Sequence, residues 1–154
     1  MSIPEPAPGL VISYSYLWHD QHRAGAEEGR KARPCAIVVA AADADGDCQV
    51  YVVPITHSRP DDPHAVALPA NVKRRLGLDD EPSWIVTAEL NRFVWPGYDL
   101  RPVSRNQPDC SAWGFLPVEI FAAVIRWNVA HPRDRSLRQT PRERSCGDYV
   151  SCVR

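Results

Sequence analysis

The chain reads as a mainly β protein: a small, strongly bent antiparallel sheet or partial barrel with one C-terminal helix packed on it. Three observations carry that reading. Two apolar, β-branched runs at 35–42 and 48–54 flank Asp43-Ala44-Asp45-Gly46-Asp47. This is a strong hairpin signal, because Asp and Gly accept the positive φ of a tight reversal. Upstream, residues 10–18 alternate, with Ile12, Tyr14, Tyr16 and Trp18 on one side and Ser13 and Ser15 on the other, as in a half-buried strand. Fifteen prolines among 154 residues argue against long helices and for short strands joined by stiff loops.

The totals describe one ordinary domain. A hydrophobic share of 44% and a charged share of 24% suit a soluble core of this length. No apolar run approaches the roughly 20 residues of a membrane span, and MSIPEPAPG lacks the basic and apolar regions of a secretory signal. Five cysteines without CxxC spacing read as reduced thiols, and a cytoplasmic location is expected. A net charge of −1 gives no global pull toward nucleic acid. Basic residues nevertheless cluster at 29–33, at Lys73-Arg74-Arg75 and at 133–144, and local basic surface can hold phosphate.

Taken in order, residues 1–9 are a Pro-rich flexible arm and 10–130 the barrel domain. Residues 19–31 form a long polar loop, which in a compact β domain is a working loop or a disordered one. After the hairpin, 59–64 (RPDDPH) is loop and 65–68 a short strand. Residues 70–76 form a small helix closed by Gly77. Residues 83–89 (SWIVTAE) make another strand, and 91–102 is turn-rich around Trp95-Pro96-Gly97, with at most one short strand. Leu116-Pro117 opens the C-terminal helix. Val118, Phe121, Ala122, Ile125 and Val129 recur on it at helical spacing, with Ile120, Val124 and Trp127 beside that stripe. This is more apolar surface than one sheet face needs, and the surplus predicts a homodimer interface. Residues 131–154 are an arginine-rich, core-poor tail, expected to be mobile.

With the turn centred near Asp45, residues whose numbers sum to about 90 face each other across the hairpin. Arg33 then lies opposite Thr56, His57 or Ser58. A guanidinium, two hydroxyls and an imidazole converging at one rim suit a phosphate or carboxylate. His57, an imidazole at that rim, is a candidate acid or base. Glu89, at a strand end with Asn91 and Arg92 following, is a candidate general base. Trp95, before Pro-Gly, is the tryptophan expected to be exposed for base stacking. His19-Asp20-Gln21-His22 lacks further partners at a recognised spacing, so no metal site is expected.

These residues bring a family into view. Gly9 and VISYSYLW, then a polar loop, then Gly29-Arg30-Lys31-Ala32-Arg33-Pro34, then Val52-Val53-Pro54-Ile55-Thr56 resemble the PemK/MazF-like toxins of bacterial type II toxin–antitoxin modules. SWIVTAELNRF resembles that family's acidic strand, and Gly114-Phe115-Leu116-Pro117 the lead-in to its last helix. The resemblance spans 9–129. It implies an SH3-like barrel of about five to seven strands, a homodimer, and a metal- and cofactor-independent endoribonuclease acting on single-stranded mRNA. It also implies an antitoxin protein as partner. Arg33 and Thr56 fall on the family's catalytic arginine and threonine, Glu89 near its acidic position, and Glu28 near the Glu of its first long loop. Arg30, Lys31, Ser58, Arg92 and Trp95 are the expected RNA-binding set beside Glu28. Thr87 stands where some members place an assisting arginine. A related small-barrel toxin family poisons DNA gyrase by protein contact, so a non-catalytic binding module remains the alternative.

Overall fold

The computed structural model describes residues 3–19, 31–130 and 138–141. Its centre is the hairpin of β2 (Arg33–Ala42) and β3 (Cys48–Thr56). Asp43 sets the reversal: its Oδ1 accepts the amides of Asp45 and Asp47 at 2.9 and 3.0 Å, and Gly46 takes φ 84°. Gln49 Nε2 donates to the other carboxylate oxygen at 2.9 Å. The register runs from Ala42↔Cys48 to Val39↔Tyr51, slips by one residue, and resumes from Ile37↔Val52 to Cys35↔Pro54. The paired numbers sum to 90, as the turn composition dictates, and to 89 beyond the slip.

Among the described residues, seven antiparallel strands curl into a half-barrel, with two helices beside them. On the far side of β2 lie β1 (Leu10–Tyr14) and then β7 (Ala112–Phe115). The outer edge of β3 is divided. Gln49–Val52 pair with β6 (Glu89–Val94), and Ile55–Thr56 pair with β5 (Ser83–Ile85), which pairs in turn with β4 (Val66–Leu68). The strand expected across 83–89 is therefore two strands with a bend at 86–88, each taking its own half of β3.

Period-2 geometry sorts the core into two layers. Val11, Ala36, Val53 and Ile55 face one side with Leu76 and Val124, while Ile12, Ile37 and Val52 face the other with Tyr14, Tyr16 and Phe93. Strand β1, read from its alternation as half-buried, is thus covered on both faces, and even Ser13 is 4% exposed. The short helix α1 (Ala70–Leu76) ends at Gly77, which adopts φ 81° as its C-cap. In α2 (Val118–Ala130) Val124, Ile120, Phe121 and Ile125 pack on the core, so Phe121 and Ile125 of the expected stripe do face inward. Val118, placed on the core stripe by spacing alone, is 80% exposed. The helix is rotated from the expected setting, so Ile120 and Val124 are core rather than surplus.

Residues 138–141 lie within the segment expected to be a mobile tail. They instead form β8 (Arg138–Pro141), parallel to β6 from Glu89↔Arg138 to Arg92↔Pro141. No helix among the described residues is long and apolar enough to cross a membrane.

Candidate functional site

The open end of the hairpin carries two clefts that share one wall. Arg33, Thr56 and Ser58 line both. Continuing the hairpin register by two residues from Cys35↔Pro54 sets Arg33 across from Thr56. The first cleft, about 770 Å³, is completed by Trp18, Val86, Glu89 and the 59–64 loop. The second, about 550 Å³, is completed by Lys31, His57, Lys73, Asp79 and Trp113 among others.

In the first cleft the Arg33 guanidinium lies over the Trp18 ring, 5.0 Å from its centroid. Its Nε is buried without a hydrogen-bond partner, and no described carboxylate pairs with it. A cation held by an aromatic face keeps its N–H fork for an incoming anion. Glu89 Oε1 accepts from the Tyr16 hydroxyl at 3.1 Å and from the His19 amide at 3.0 Å. Burial first, and next the Glu89 charge, push the Tyr16 phenol well above the usual tyrosine range, so it stays a donor to that carboxylate. Thr56 Oγ1 accepts the Ser58 amide at 3.2 Å, a local turn that leaves the hydroxyl proton free to donate.

Asn91, fully buried, fixes the backbone before Trp18: its amide accepts from Leu17 N at 3.0 Å and donates to Leu17 O at 2.8 Å. Thr87 is also fully buried, with its hydroxyl 3.1 Å from Asp62 Oδ2 and 3.2 Å from the His64 carbonyl. It anchors the 59–64 loop instead of facing the cleft.

The second cleft has a different electrical character. Lys73, 4% exposed, donates from Nζ to Asp79 Oδ1 and Ser83 Oγ, both at 2.7 Å, and to the Glu81 carbonyl. His57 lies between Asp79 Oδ2 (2.7 Å) and Glu81 Oε2 (3.1 Å). The Lys73 hydrogen bond is the chief cause holding the Asp79 carboxyl below its ordinary range.

The residues singled out from sequence therefore separate. Arg33, Thr56, Ser58 and Glu89 meet in the first cleft. His57 and Lys31 belong to the second. Arg92 lines neither cleft; it sits in β6 between Tyr51 of β3 and Pro141 of β8. Trp95 is not an open stacking platform: it is half-buried, tilted on Phe93 at 6.1 Å and packed on the second core layer. Glu28 and Arg30 lie outside the described residues. Sequence reasoning missed Trp18, Arg59 and His64 as cleft residues. The available signal was the Pro-Asp-Asp-Pro stretch after Thr56, whose stiffness and Asp62 turn (Oδ1 accepting His64 N at 2.9 Å) fold the loop back over the rim. Among the described residues no group of three or more His, Cys, Asp or Glu is placed to hold a metal ion.

A small curled β half-barrel with a basic–hydroxyl–carboxylate cleft at one end is the class that fold and site define. No protein-family model matches the chain, and no curated protein matches it in sequence. In structure it is similar to a chain of the crystal structure of MazE-MazF (Form-III) from Deinococcus radiodurans, with a TM-score of 0.51 and 17% identity. The match covers 84% of this chain and 98% of that one, and at this identity it is a likeness of fold.

Proposed function

We propose that the chain is the toxin of a type II toxin–antitoxin module, an endoribonuclease that cleaves single-stranded RNA without a metal ion. The observation that carries this reading is Arg33. It is a guanidinium stacked on Trp18, lacking any described acidic partner, in a cleft shared with Thr56, Ser58 and Glu89. The fold likeness to a chain of a MazE-MazF crystal structure supports it.

In the reaction, the 2′-oxygen upstream of the scissile bond attacks phosphorus and the P–O5′ bond breaks. The products are a 2′,3′-cyclic phosphate and a 5′-hydroxyl end. Arg33 neutralises charge building on the non-bridging oxygens, and Thr56 donates to the same phosphate. Glu89 takes the 2′-hydroxyl proton, positioned by its Tyr16 and His19 contacts. Arg59 supplies a second cation, which Thr87 cannot, and His64 takes over from His57 as the imidazole on this side of the wall. Single-stranded RNA is favoured because in-line attack needs a backbone free of duplex geometry. An acidic antitoxin segment would cover the same basic wall. Phe115 at the end of β7 and Val118 at the start of α2, 54% and 80% exposed, would lie in a homodimer interface.

The test is incubation of the purified chain with single-stranded RNA in EDTA. Discrete fragments ending in 5′-hydroxyls are expected from the parent and none from Arg33→Ala. Equal cleavage by the two would overturn the assignment. A second reading, a binding module that grips without cutting, draws on Thr87 being locked in the interior; tight RNA binding without fragments would select it.

A further inference from the structure

We propose that the outer edge of β6 is a peptide-docking edge held by the chain's own residues 138–141, and that this docking fixes Glu89 in the first cleft. The ladder with β3 begins only at Asn91, so the first two residues of β6, Glu89 and Leu90, have their strand partner in β8. Without β8 that end of β6 presents an open row of backbone donors and acceptors, which sheets close by adding a strand. The register sets Arg138 across from Glu89. The described register runs on to Arg92↔Pro141.

The other face of this arrangement is the cleft. The Glu89 carboxylate receives Tyr16 and the His19 amide there, while its backbone is paired behind with β8. The strand at the back and the carboxylate at the front belong to one residue, so loosening the strand loosens the acid. Residues 138–141, which the cleft chemistry does not use, thereby become a strap acting on the site from outside it. The inference stands whether or not the chain cuts RNA.

Successive N–H groups of a strand point to alternate edges, so replacing two consecutive residues removes one that faces β6. The full chain carrying Gln139→Pro and Thr140→Pro is compared with the parent by amide hydrogen exchange. A synthetic peptide of residues 136–143 is then added in trans. Leu90 and His19 amides are expected to exchange about tenfold faster or more in the variant, with β2 and β3 unchanged, and the peptide to restore them. Identical exchange in variant and parent overturns the docking. Failure of the peptide to restore protection does the same. A faster Leu90 with an unchanged His19 overturns the link to Glu89. Protection in the parent that vanishes on dilution assigns the strand to a second copy and overturns the strap.

Discussion

The two clefts either side of Arg33, Thr56 and Ser58 are built from similar residues and put them to opposite uses. In the second, Lys73, Asp79, Glu81 and His57 satisfy one another within 3.1 Å, so the charges close on themselves. In the first, the cation rests on an indole and the carboxylate on a phenol and an amide, so neither neutralises the other. Charges that cancel internally hold a fold together. A cation supported by an aromatic face remains available to a substrate.

The sharpest way to break this contrast is Arg33→Ala. Cleavage of single-stranded RNA should fall by about 10²-fold or more, as for loss of one donor aimed at a developing oxyanion, with an unchanged circular dichroism spectrum. Lys73→Met should do the reverse. Urea denaturation should show a loss of about 2 kcal/mol, from three polar groups losing a buried charged donor, with cleavage retained. A smaller effect separates the clefts by pH. Tyr16 is raised in the folded chain, so its contribution is complete below the free tyrosine value of about 10 and declines as pH rises toward the folded value. Tyr16→Phe should flatten that alkaline arm, and ultraviolet titration should show a late-ionising phenol in the parent that the variant lacks. Asp79 has the opposite sign: its lowered carboxyl stabilises above about pH 4 and that contribution fades as pH falls through the folded value. Lys73→Met should therefore blunt the acid sensitivity, modestly because Asp79 is half exposed. Least of all, His57→Ala should shift stability by under about 1 kcal/mol and leave cleavage intact, since its partners are exposed carboxylates. A large fall in cleavage there would move the chemistry to the second cleft.

Legibility from sequence followed locality. The hairpin register was readable because Asp43 and Gly46 fix the turn and the pairings out to Val39↔Tyr51 follow from it by counting; the one-residue slip beyond them does not. Gly77 likewise marked the end of α1. The facing of α2 was not readable: several apolar stripes fit its spacing, and which one turns inward depends on strands far away in the chain. Strand β7 was hidden because Gly114 sits in it at φ 132°, a conformation that β propensity does not describe. Arg33 and Thr56 could be set side by side from sequence because they share one hairpin. Trp18, Arg59 and His64 reach the same cleft from separate segments, and only tertiary packing reveals that. The Trp95 expectation failed because an aromatic beside Pro-Gly looks exposed in one dimension, whereas Phe93 two residues earlier gives it a wall to lie on.

Where β3 passes from one outer neighbour to the other stands Pro54, whose carbonyl takes the Val86 amide at 2.9 Å and whose nitrogen has no hydrogen to give. The sheet therefore parts at an imino acid, and the opening into which Thr56 projects begins at that parting. Curvature here is written into main-chain chemistry ahead of any side-chain fit. Anyone reshaping the mouth of this protein would do better to shift that proline along the strand than to repaint the residues that line it.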